Sequence, residues 1–137
     1  MSEKQAVQQG YDIPDHGNEL STAEDQIEKL KNRLKIIKIQ RCIDDKSHDQ
    51  LFESIVRVLD YVGKLSLSAF ALEDQIQEIY FNRYKNSPEL AKTLWQEEYG
   101  RVHRPYNILK NRCYRLLEEL DAEYHKRHKK HPPNWKP

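Results

Sequence analysis

Residues 87–121 read SPELAKTLWQEEYGRVHRPYNILKNRCYRLLEELD, and the punctuation of this stretch decides the fold. Ser87 is placed to cap a helix, Pro88 falls at the first helical position, where its missing N–H costs nothing, and Glu89 complements the helix dipole. The helix that follows carries Leu90, Leu94 and Trp95 and is expected to stop near Gly100. Proline in a helix interior removes a hydrogen bond and costs about 3 kcal/mol, so the spacing predicts a turn over Gly100-Arg-Val-His-Arg-Pro105. A further helix then presents Leu109, Cys113, Leu116, Leu117, Leu120 and Tyr124 on one face.

Toward the N-terminus the same logic predicts three more helices. Leu72, Ile76, Ile79 and Tyr80 mark one that ends near Arg83, and Ser47-His-Asp-Gln50 offers a capping box ahead of the apolar run Leu51, Phe52, Ile55, Val56, Leu59 and Val62. Gly63 to Ser68 reads as a short connection, with a helix running through it as the other reading. A first helix over residues 22–43 follows the capping box Ser21-Thr-Ala-Glu24. Ala23, Ile27, Leu30, Leu34 and Ile37 recur along it with heptad spacing, and Ile36, Ile39 and Ile43 add a second stripe. Ile27, Leu30, Leu34 and Ile37 are therefore candidates for self-association, with packing inside a bundle as the other use of the seam. Residues 1–20, polar and interrupted by Gly10, Pro14 and Gly17, read as a flexible arm.

The expected fold is all-α: a compact bundle of four to five helices in a single domain, residues 21–124, with a heptad-like first helix and a disordered basic tail, residues 125–137. Only 4 Gly and 6 Pro interrupt the chain's 137 residues, which fits few and long elements. No apolar run reaches the length needed to cross a bilayer, and the first residues lack the apolar region of an export signal. No membrane contact is expected, and the location expected is intracellular: cytoplasmic, or nuclear in a eukaryote. Cys42 and Cys113 lie far apart and read as ordinary thiols.

Charge is sorted along the chain. Residues 1–99 hold 13 Lys and Arg against 18 Asp and Glu, whereas residues 100–137 hold 10 against 4. Such a basic end attracts a polyanion at long range. Arg101, His103 and Arg104 are expected to form a cationic corner at the start of the last helix, where phosphate oxygens also find backbone amides. Lys110, Arg112 and Arg115 add to it, and Lys126, Arg127, Lys129 and Lys130 follow in the tail. Tyr99, Tyr106, Tyr114 and Trp135 interleave these cations and are candidates for stacking on bases.

Residues 87–121 resemble the helix-turn-helix half of winged-helix response regulators, in which an Arg-rich helix follows one with an apolar-Trp end. The likeness covers about a quarter of the chain and implies a recognition helix in a major groove; no strand hairpin follows to form a wing, and no family is assigned from it. The spacing of Arg41 and His48 resembles the Arg-His motif of helical ribonucleases of the HEPN group, with Cys42 in place of the polar residue that follows the Arg. A chance spacing is the expectation there. His125, His128 and His131 sit among cations that disfavour a metal ion, and Glu97, Glu98 and His103 near Gly100 read as a hydrated helix end rather than an acid-base cluster.

No cofactor, metal or catalytic residue is expected. The function expected is a non-enzymatic nucleic-acid-binding or accessory protein, DNA or RNA, that contacts phosphates through the basic end. The alternative is an adaptor or structural subunit that forms homo-oligomers through its first helix and docks an acidic protein.

Overall fold

The computed structural model describes residues 11–40 and 43–128, and among them every regular element is helical. The described residues form four helices: α1 Gly17–Gln40, α2 Asp45–Phe70, α3 Glu73–Arg83 and α4 Pro88–His128. The two helices expected over residues 87–124 are thus one helix of 41 residues, about 60 Å long at 1.5 Å per residue.

The boundary at Ser87-Pro88 is real, with the Ser87 carbonyl accepting from the Ala91 amide at 3.0 Å. The turn at Gly100–Pro105 does not form. Ala91, Trp95, Tyr99, Val102, Tyr106, Leu109, Cys113, Leu116, Leu120 and Tyr124 make one inward seam that keeps its three- and four-residue steps straight through the glycine and the proline. Ending the helix at Gly100 would throw Val102, Tyr106 and Leu109 out of phase with the core. Gly100, Arg101 and Pro105 are exposed, so the Arg101 carbonyl that loses its partner at Pro105 lies on the watered side.

Other boundaries shift for local reasons. α2 is capped by Asp44, whose carboxylate accepts from the Ser47 amide at 2.7 Å, so Ser47 stands inside the first turn rather than ahead of it. That bond holds the Asp44 carboxyl below its ordinary pKa. α2 also continues across Gly63–Ser68, with the Ser66 and Ser68 hydroxyls turned onto the carbonyls of Gly63 and Leu65 at 2.7 and 2.8 Å. α1 starts at Gly17, one turn before the expected capping box, and Asp15 accepts from the Gly17 amide at 3.1 Å.

Side-chain pairs give the topology. His16 meets Tyr106, Glu28 meets Arg112 and Lys38 meets Glu119, so α1 runs parallel to α4. Phe70 packs on His103 and Asp45 on Tyr124, so α2 runs antiparallel to it, and α3 continues against the N-terminal part of α4. The described half of the supposed flexible arm follows the same line: Tyr11 is buried, and its hydroxyl donates to Glu98 of α4 at 2.6 Å. Residues 1–10 lie outside the described residues.

The seam of α1 belongs to this core. Ile27, Leu30 and Leu34 are 1%, 6% and 1% exposed, and Ile37 packs against them half-buried, which corrects their assignment to self-association. A homotypic seam would require the bundle to open. Leu34→Ala is therefore expected to lower unfolding stability by about 2–5 kcal/mol in urea melts rather than merely to dissociate an oligomer. Gly100→Ala should raise stability by about 0.5–1 kcal/mol, since the position is helical and an added Cβ meets nothing within 4 Å. A loss of stability in that variant would contradict the continuous helix.

Candidate nucleic-acid interface

The cationic corner does not exist as a helix terminus. Residues 101–106 lie in the interior of α4, where amides are engaged in the helix rather than available to phosphate. His103 is 7% exposed and faces inward, 4.4 Å from the Phe70 ring and stacked at 5.6 Å on Tyr99. Burial, aided by the Lys110 charge, holds its pKa below the ordinary histidine value. It is a core group and not a phosphate contact.

The remaining predicted cations divide by their partners. Arg101 is paired with Glu98, Arg112 with Glu24 and Glu28 across to α1, and Arg127 with Glu123 at 2.8 Å. Lys110 lies 5.7 Å from the Phe70 ring, on the edge of α4 away from α1. Arg104, Arg115 and Lys126 are exposed and make no ion pair within the described residues. They recur every eleven residues, about three turns, and so share one outer stripe of α4. Lys126 and Arg127, expected in a disordered tail, are part of this helix; Lys129, Lys130 and Trp135 lie outside the described residues. Of the candidate stacking residues, Tyr106 is buried, Tyr99 is half-buried and Tyr114 is 49% exposed.

Among the described residues, the densest run of cations lies where the chain-long charge count looked acidic. Between Lys29 and Gln40, α1 carries Lys29, Lys31, Arg33, Lys35 and Lys38 and no Asp or Glu. Its inward stripe is Ile27, Leu30 and Leu34, which sends these cations to the two flanks and the outer face. On the α2 flank Lys29, Arg33 and Arg57 line a cleft of about 360 Å³ with Gln26 and Ser54, floored by Leu30 and Val58; Arg33 reaches the Ser54 hydroxyl at 3.5 Å. On the α4 flank Lys31 faces Arg112 and Arg115 across a hollow of about 210 Å³ whose wall also carries Glu119. Lys38 is tied to Glu119 at 3.6 Å, while Lys29, Lys31, Lys35 and Arg57 make no ion pair among the described residues. The acidic Asp45, Asp49, Glu53 and Asp60 fall on the edge of α2 turned away from α1. Charge is thus sorted around the bundle, with a cationic face centred on α1 and bordered by α4.

The catalytic candidates are occupied by packing. His48 is 1% exposed, with its ring between Phe52 and Tyr124 and its Nδ1 3.1 Å from Asp49; Arg41 and Cys42 lie outside the described residues. Glu98 holds the Tyr11 hydroxyl and Arg101. His128 stacks on Tyr124 and meets the Ile43 carbonyl, and His131 lies outside the described residues. Cys113 is fully buried, and burial pushes its thiol up to about 11. No cluster of three metal-ligating residues is found among the described residues, nor any helix long and apolar enough to cross a membrane.

No protein-family model, curated protein or solved structure matches the chain.

The buried imidazole has a pH consequence. With its folded pKa depressed, His103 binds a proton more readily in the unfolded chain, so its contribution to stability is present above the unfolded value of about 6.5 and is lost as pH falls toward the folded one. Thermal melts of the wild type and His103→Phe between pH 7.5 and about 5 should show a smaller acid-side drop in the variant. Equal slopes would assign the acid sensitivity elsewhere.

Proposed function

We propose that the protein binds nucleic acid through the cationic face of α1 and α4, without turnover. The observation that supports this most is the acid-free segment Lys29–Gln40 with five cations, flanked by Arg57 on one side and Arg112 and Arg115 on the other. Lys29, Lys31, Lys35, Arg57 and Arg115, without internal partners among the described residues, keep their full charge for an external polyanion, whereas Lys38, Arg101, Arg112 and Arg127 are already paired with neighbouring carboxylates. Arg104, Arg115 and Lys126 extend the face along α4, and cations line the clefts on both flanks of α1. This reading keeps the phosphate-contact function expected from composition and moves its centre from the basic end to α1.

A second reading is favoured by Ile36 and Ile39, which are 52% and 80% exposed among the lysines. Apolar groups in a cationic field suit an acidic protein surface that also buries hydrocarbon.

Fluorescence anisotropy with labelled single- and double-stranded DNA and RNA across a salt series tests the proposal. Binding should weaken steeply with salt, with a log–log slope near 0.9 per duplex phosphate neutralised or about 0.7 per single-strand phosphate. Lys31→Glu with Lys35→Glu and Arg115→Glu should reduce affinity at least about tenfold and flatten that slope, while Arg127→Gln changes little. Failure to bind any of the four ligands at low salt ends the nucleic-acid reading and leaves the acidic protein.

A further inference from the structure

α2 carries more apolar surface than its own chain covers. Leu51, Ile55, Val58 and Val62 fill the core, and a second stripe, Val56, Leu59, Gly63, Leu67 and Phe70, runs beside them. Phe70 places this stripe on the edge toward His103 of α4, whereas the contact of Arg33 with Ser54 places α1 on the opposite edge. Leu67 and Phe70 are 63% and 45% exposed, and Val56, Leu59 and Gly63 are half-buried.

The steps of the stripe are three, four, four and three residues, which read the same in both directions about Gly63. An interface between two copies related by a two-fold axis needs that property, because each residue i facing j requires j to face i. With α2 antiparallel to the partner's α2 and the axis at Gly63, Leu59 lies opposite the partner's Leu67 and Val56 opposite the partner's Phe70. Gly63 lies opposite itself, and a Cβ built on it meets nothing within 4 Å, so the space a second backbone would need is open. The rim is complementary in the same arrangement. Asp60 and Lys64 are both exposed, make no ion pair with one another or with any other described residue, and come within side-chain reach of the partner's Lys64 and the partner's Asp60. A foreign helix needs none of this internal symmetry.

We propose that the α2 stripe Val56–Phe70 is a homodimer interface in which α2 packs antiparallel on the α2 of a second copy, crossing at Gly63. The dimer leaves α1 on the far edge of α2, and it does not depend on what the cationic face binds.

Sedimentation equilibrium of the full chain over a wide concentration range is the test. The wild type should be a dimer, and Leu67→Glu should raise the dissociation constant at least about tenfold, a penalty of 1.4 kcal/mol or more, with an unchanged helical circular dichroism spectrum. Asp60→Lys should weaken the dimer, and Asp60→Lys with Lys64→Asp should restore it. In a Cys42→Ser background, Gly63→Cys should form an intermolecular disulfide on mild oxidation, whereas Leu90→Cys, exposed on α4, should not. A chain that stays monomeric throughout, a dimer indifferent to Leu67→Glu, or a Gly63→Cys variant that does not cross-link overturns the proposal. The first of these results would assign the stripe to a different protein.

Discussion

The inward seam of α4 is the constraint on which everything else depends. A 41-residue helix gains little from its own hydrogen bonds at Gly100 and Pro105, and persists there because neighbouring elements bury one continuous row of side chains along it. α1, α2 and α3 each pack on this row, and the segment from Tyr11 is strapped to it through Glu98. The tolerance for Pro105 is a matter of side: the defect is exposed, while Val102 and Tyr106 next to it are buried. Breaking the helix would save the local cost of proline and lose the packing of several large side chains, each worth about 1.5–3 kcal/mol.

The same packing sorts the charges. Once Ile27, Leu30 and Leu34 face inward, the cations of Lys29–Gln40 have only the flanks and outer face of α1 left to occupy, and α4 brings Arg112 and Arg115 alongside. Arg112 is partly consumed in doing so, since its pairs with Glu24 and Glu28 hold α1 in register with α4. Surface pairs of this kind stabilise little by themselves but select one parallel alignment among several. The cationic face is a consequence of the core, and the palindromic stripe of α2 is what the core left over.

Much of the fold was legible in the residues. The helix-forming composition, the Ser87-Pro88 start and the heptad positions of α1 all appear where local propensity and periodicity put them. The expected turn at Gly100–Pro105 does not form, and of the two readings of Gly63–Ser68 the continuous helix holds, because glycine and proline report local cost, whereas the seam in phase across them reports tertiary gain. That signal was present in the spacing from Tyr99 through Val102 and Tyr106 to Leu109. The candidate site was legible only in part. Arg104, Arg115 and Lys126 are exposed on one stripe, but His103 turns inward, and the cations of α1 were hidden in a net-acidic count taken along the chain rather than around it.

What the amino-acid sequence determined by itself is helicity, the start of α4 and which α1 side chains are apolar in register, because these follow from local backbone preference and from a period shorter than the elements. Tertiary structure alone decided that two expected helices are one, that the Ile27–Leu34 seam is interior, and that cations distant in sequence share a face. Each of those outcomes depends on which surface a neighbouring helix covers, and burial is a property of the assembled bundle, not of any stretch within it.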